Sequence, residues 1–224
     1  MDIKDFIVRE KARCDSFKLM AACFYQPQMD ILKEDLLQNL SESLKVSCPE
    51  AAVYSEEMIK LLSAYSEEEL LIDYAKLFVG PNELLAAPYG SIYLEKDRRV
   101  MGDSTMEVIE FYKSHGLVMD EDFKEVPDHI AVELEFMYYL IFKEIEAIEK
   151  SDMASAIATI EAQEFFMNKF LRSWADKLAE KIIKHAETSF YRALAGCLSA
   201  FINKTEIQDS LPEELKAAAI SYSA

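Results

Sequence analysis

Asp128-His129, directly behind Pro127, is the pair in this chain with the widest chemical reach. A carboxylate near a helix start accepts charge-assisted hydrogen bonds from a guanidinium, each worth about 1.5–3 kcal/mol, and the neighbouring imidazole can donate or accept. Both residues also have plainer uses, since an aspartate at a helix start complements the helix dipole and a histidine beside it is commonly structural. His129 and Glu133 stand on one face of a helix, but two groups do not make a metal site, and His115 and His185 offer no completion. Tyr89-Gly90-Ser91-Ile92-Tyr93 lacks the flanking glycines of a nucleophile elbow, and no Gly-x-x-x-x-Gly-Lys-[Ser/Thr] phosphate loop occurs. Without a nucleophile and base pair these residues argue for binding, with no catalytic residue, metal or cofactor expected.

Three further groups extend the candidate surface. Tyr74, Leu77 and Phe78 share one turn of a helix, as core residues or as the wall of a groove for an apolar helical peptide. Pro88-Tyr89-Gly90-Ser91 with Tyr93 reads as a tight turn flanked by aromatic anchors. In Gly102-Asp103-Ser104-Thr105, helix capping accounts for every polar residue. Arg98-Arg99 lies mid-chain with no apolar segment after it and reads as a solvated corner.

The elements that must position these residues are helices. Apolar residues recur at helical spacing from Phe6 to Phe24, stopping at Gln26-Pro27, and again at about Met29 to Leu44 and Ala51 to Ala64, with Cys48-Pro49 between them. Ser66-x-x-Glu69 fits a capping box, opening a helix that runs through Tyr74 to Val79 and stops at Gly80-Pro81. Ser104-x-x-Glu107 fits a second, leading to His115 and Gly116. Pro127 suits a first helical turn, after which Ile130, Leu134, Met137, Ile141, Ile145 and Ile148 share one face. Helices follow at about Met153 to Leu171, Trp174 to Ala186 and Ser189 to Ile202, with a weaker tail after Pro212. The expectation is an all-α, single globular multi-helix domain over residues 1–224. Its long central interruption, Gly80 to Gly102, contains three of the five glycines. Compact helical domains join their helices with roughly two to eight residues, so a loop of this length points to function.

Composition narrows the partners. The formal charge of −17, from 41 acidic against 24 basic side chains, repels phosphate backbones and anionic membrane surfaces and attracts basic segments. Nucleic acid is therefore not expected as a partner. Cys14, Cys23, Cys48 and Cys197 are scattered, without metal-ligand spacing, and read as reduced core thiols of a cytoplasmic protein. The first residues lack the basic and apolar regions of an export signal, and no apolar run approaches the roughly 18 residues of a membrane span.

In order and spacing, Leu77-Phe78-Val79-Gly80-Pro81, Pro88-Tyr89-Gly90-Ser91-Ile92-Tyr93, Gly102-Asp103-Ser104-Thr105 and Pro127-Asp128-His129 resemble the TorD/DmsD family of redox-enzyme maturation chaperones. The likeness is concentrated between Tyr74 and Met137. It implies a cytoplasmic chaperone that binds the twin-arginine signal peptide, or the apo-form, of a molybdenum-containing anaerobic oxidoreductase subunit and assists cofactor insertion before export. Signal-peptide contacts would fall on Tyr74, Leu77, Phe78, Pro88, Tyr89, Ser91, Asp128 and His129, framed by Gly80, Pro81, Gly102, Asp103, Ser104, Thr105 and Pro127. The nitrate-reductase assembly relatives give the alternative of a client that is not exported or is membrane-anchored. A nucleotide hydrolase, with the loop as lid, is the third and weakest reading. Some family members are associated with guanine nucleotide or the molybdenum cofactor, so the resemblance leaves weak binding of either open, as it leaves open a homodimer. Family members often carry tryptophan near the loop, whereas the one tryptophan here is Trp174.

Overall fold

A computed structural model of the chain describes residues 2–80, 84–118, 125–205, 211–213 and 215–216. Pro81 and most of the segment after Pro212 lie outside the described residues. Among the described residues the secondary structure is helical, with one isolated bridge between Tyr89 and His129. The elements are α1 (Ile3–Ala22), α2 (Met29–Ile31), α3 (Leu37–Ser47), α4 (Pro49–Leu62), α5 (Glu67–Tyr74), α6 (Gly90–Leu94), α7 (Asp103–Ser114), α8 (Ile130–Glu149), α9 (Met153–Phe166), α10 (Arg172–His185) and α11 (Ser189–Lys204). The fold is all-α, as expected, and its helices share one hydrophobic core.

Helix α8 is the axis of the core. Its six residues at helical spacing from Ile130 to Ile148 are all buried, against α1 on one side and α9 on the other. Helices α3 and α4 bridge α1 to α11, which in turn packs on α10. Asp73, itself buried, accepts from the main-chain N–H of Glu187 and Thr188 and so fastens α5 to the start of α11. At the centre of α1, α8 and α9 lies a buried polar cluster. Arg13 donates from Nε to Glu10 at 2.7 Å and reaches Glu144 at 3.4 Å, while Gln163 donates to Glu144 at 2.7 Å. The four cysteines are buried and unpaired, and burial pushes the Cys14 and Cys23 thiols up to about 12.

Four sequence expectations are corrected. The central interruption is not wholly non-helical, because α6 lies inside it. The break expected between Leu171 and Trp174 is absent: α9 continues into α10 through a π-helical turn at Met167–Leu171, which lets one continuous rod re-aim without a stop. The Ser66 capping box forms as read, with both reciprocal bonds present. The Ser104 box does not. Ser104 donates from both its main-chain N–H and its hydroxyl to Glu95 Oε1 at 2.8 Å, so a carboxylate from the loop caps α7 in place of Glu107. Pro127 lies ahead of α8 in a turn, outside its first helical turn.

Candidate functional site

The loop and the Pro127 turn meet. Main-chain bonds of 2.9 Å run from Gly90 N–H to the Asp128 carbonyl and from Ile130 N–H to the Pro88 carbonyl, on either side of the Tyr89–His129 bridge. The Asp128 carboxylate then accepts from the Ser91 N–H at 2.6 Å through Oδ2. Asp128 therefore caps α6 across space, and His129 caps α8, its Nδ1 accepting from the Ala131 N–H at 3.1 Å. That bond places the imidazole proton on Nε2, and burial lowers the histidine to about 4, so it is neutral.

Close packing fixes α6 against the bundle. A β-carbon at Gly90 would stand 3.0 Å from the Trp174 indole nitrogen, so any side chain there would have to push the buried indole aside for α6 to lie on α10. The indole donates to Glu133 at 3.1 Å and stacks on Tyr93, 5.6 Å between ring centres. Burial pushes the Glu133 carboxyl well above its ordinary range, and the nearby Asp128 charge adds to this, so Glu133 keeps its proton. At Gly102 a β-carbon would fall 2.5 Å from Glu95 Oε1, which is why the carboxylate that caps α7 needs a glycine beneath it. Tyr112 of α7 donates its hydroxyl to the Pro127 carbonyl at 3.0 Å and clamps the turn from behind.

The proposed contact residues divide by exposure. Leu77 and Phe78 are core, Phe78 packing its ring on Phe24, Tyr74 and Tyr191. Pro88, Ser91, Asp128 and His129 are also buried, Asp128 at 1% exposure. A guanidinium from solvent therefore does not reach Asp128 in this conformation, and among the described residues Leu77 and Phe78 are covered. Tyr74 and Tyr89 alone of the eight are half-exposed. Gly80 closes the π-helical turn after α5 by donating to the Ala75 carbonyl, Thr105 is buried, and Asp103 begins α7.

Around Tyr74 and Tyr89 the structure adds residues that no local pattern marks. Tyr25 stacks on His129 at 6.2 Å and Tyr89 meets the same ring edge-on at 5.4 Å. Tyr25 donates to Glu135 at 3.0 Å. Burial raises the Tyr25, Tyr74 and Tyr89 phenols, Tyr74 to about 12, and the Glu125 carboxylate adds to the shift of all three. Tyr25, Tyr74, Tyr89, Glu125 and Glu135 are all half-exposed. Three aromatic rings and two carboxylates at one place suit a guanidinium, which lies over ring faces and bonds to carboxylates together. On the outer side of α5, Glu67, Glu68, Leu71, Ile72 and Ala75 line a shallow depression of about 580 Å³, with Ile72 46% exposed. Among the described residues no three His, Cys, Asp or Glu side chains gather as metal ligands, and no helix is long and apolar enough to cross a membrane.

The fold is a helical bundle with a sealed loop beside an acidic aromatic surface, an arrangement built for binding. A family model described as nitrate reductase delta subunit matches residues 41–180, and the chain belongs to that family, the TorD/DmsD group of redox-enzyme maturation chaperones. It is 29% identical over 171 residues to the chaperone protein TorD of Aliivibrio fischeri, covering 74% of this chain and 76% of that one. To TorD of Vibrio parahaemolyticus it is 32% identical over 133 residues, 59% of this chain and 60% of the other. The crystal structure of a redox enzyme maturation protein from Archaeoglobus fulgidus shares the fold, with a TM-score of 0.53 at 23% identity over 88% of this chain and 94% of that one.

Proposed function

We propose that this protein, acting as one domain over residues 1–224, is a cytoplasmic chaperone that holds the twin-arginine signal peptide of a molybdenum-containing oxidoreductase subunit until its cofactor is in place. The convergence of Tyr25, Tyr74 and Tyr89 with Glu125 and Glu135 carries this reading. The leader's arginines would lie on these rings and carboxylates, and its apolar segment would run along Leu71, Ile72 and Ala75 of the same helix that bears Tyr74. Asp128, His129, Pro88 and Ser91 act from beneath by fixing where Tyr89 stands. The net charge of −17 steers the basic leader in.

The test is a titration with a synthetic peptide carrying an Arg-Arg pair before an apolar helix. Glu125→Lys with Glu135→Lys is expected to weaken it about tenfold or more, with a steep salt dependence in the parent protein. Unchanged affinity in the double variant refutes the assignment. A second reading, an assembly chaperone for a reductase that is not exported, is favoured by the description of the matching family model as a nitrate reductase delta subunit. In that case the Arg-Arg peptide fails to bind and the folded client subunit binds.

A further inference from the structure

The loop that seals the junction on one side borders an open cleft on the other, between residues 84–98 and α10, with a volume of about 630 Å³. Its charge runs against the rest of the molecule. Arg98, Lys177, Lys181 and Lys184 line it against two carboxylates, Glu95 and Glu180, and Glu95 is already engaged by Ser104. Some exposed lysines elsewhere pair with acids, as Lys76 does with Glu187 and Lys169 with Glu107, and others such as Lys60 and Lys113 stand singly, so what marks the cleft is that its cations are gathered on one surface. None of the four cations in the cleft has an ion-pair partner among the described residues. In a chain with 41 acidic side chains, unpaired cations collected on one cleft are not what composition alone produces.

The geometry of the cations selects the ligand. Lys177, Lys181 and Lys184 recur at i, i+4 and i+7, a straight row about 10 Å long on one face of α10. A compact anion such as phosphate needs donors converging on one point, whereas a row at helical pitch matches carboxylates repeated at the same pitch on another helix. Beside the row lie apolar groups, Leu85 at 38% exposure, with Leu84, Ile92 and Tyr93 half-buried. Arg98 faces the row from the loop, its backbone in the left-handed region with φ of +50°.

We infer that this cleft is a docking site for an acidic amphipathic helix of a partner polypeptide, its carboxylates along the lysine row and its apolar edge on Leu85, Ile92 and Tyr93. The inference stands apart from the leader reading. A basic leader is repelled here and attracted at the tyrosine rim, so the two surfaces accept segments of opposite charge.

The experiment uses the full chain and a fluorescein-labelled helical peptide with glutamates at i, i+4 and i+7 and leucines on the adjoining face. Saturable binding is expected, weakened about tenfold or more by combined Lys177→Gln, Lys181→Gln and Lys184→Gln, three exposed positions, with the folded fraction checked by thermal melt. Leu85→Asp weakens it independently, and a permuted peptide of the same composition binds poorly. Equal binding by the permuted peptide, unchanged affinity in the triple variant, or displacement by inorganic pyrophosphate as effective as by unlabelled peptide each overturns the proposal. The Arg-Arg peptide titrated on the same triple variant is expected to bind as before or more tightly, so failure of either assignment is read separately from the other.

Discussion

The Arg13 cluster and the Asp128 junction are both buried and polar, yet they are built from different materials. In the first, side chains of three regular helices bond to one another: Arg13 to Glu10, Glu144 and Gln163. In the second, one carboxylate, one imidazole and several main-chain groups tie two irregular segments together. Their protonation differs as well. Arg13 makes its closest contacts with Glu10, so the more distant Glu144 is ruled by burial and pushed up to about 8, holding its proton. His129 is pushed the other way, to about 4. The bundle centre thus favours a bound proton and the junction favours its absence.

Arg13→Ala is expected to give the largest effect, because it leaves the Glu10 carboxylate buried without its counter-charge at a cost of about 3–5 kcal/mol. Urea unfolding measures it, and leader-peptide affinity of the folded fraction should stay as it was. A matching loss of affinity would mean that the two regions are one unit. Acid comes next. With a folded value near 4 against an ordinary 6.5, His129 contributes about 3 kcal/mol that is complete above pH 6.5 and lost as pH falls toward 4. Glu144 acts in reverse: its contribution is complete below its ordinary value of 4.5 and is lost as pH rises through about 8. Thermal melts between these limits should show two limbs, the acid one flattened by His129→Asn and the alkaline one by Glu144→Gln. If His129→Asn leaves the acid limb intact, the difference between the regions lies elsewhere.

A smaller loss is expected at Asp128. Asp128→Ala removes the acceptor for the buried Ser91 N–H and costs about 1–3 kcal/mol, whereas Asp128→Asn retains a side-chain oxygen for that bond and costs less. If the two variants weaken leader binding in proportion to their loss of stability, Asp128 acts by positioning. A loss in the asparagine variant as large as in alanine, with stability near the parent, would instead make its charge a direct contact. The smallest effect belongs to Ser66→Ala, about 1 kcal/mol from the capping box of α5, with peptide affinity unchanged.

Much of the framework was legible in the sequence because it rests on local rules. The face from Ile130 to Ile148 and the Ser66 box follow from spacing alone, and both form. What escaped depends on partners distant in sequence. Ser104 and Glu107 satisfy the pattern of a capping box, but Glu95 arrives first because Gly102 leaves room for it. The apolar run through Leu171 and Trp174 offers no proline or glycine to mark a π-helical turn, so continuity could not be told from a break. Asp128 reads as a partner of the dipole of its own helix or of a guanidinium, because its actual acceptor role is set by α6, an element too short to show periodicity. Trp174, far along the chain on α10, reaches the loop only through tertiary contact, stacking on Tyr93 and lying against Gly90.

The three bonds that join the loop to the start of α8, from Gly90, Ser91 and Ile130, have a kinetic consequence. Because all three must break before Tyr89 can leave the ring of His129, these amides should exchange deuterium together, at one common rate slower than that of the exposed corner around Arg98 and Arg99. A leader that grips Tyr89 would then slow that shared opening for as long as it is bound, and the lifetime of the opening would report how long the chaperone keeps its cargo.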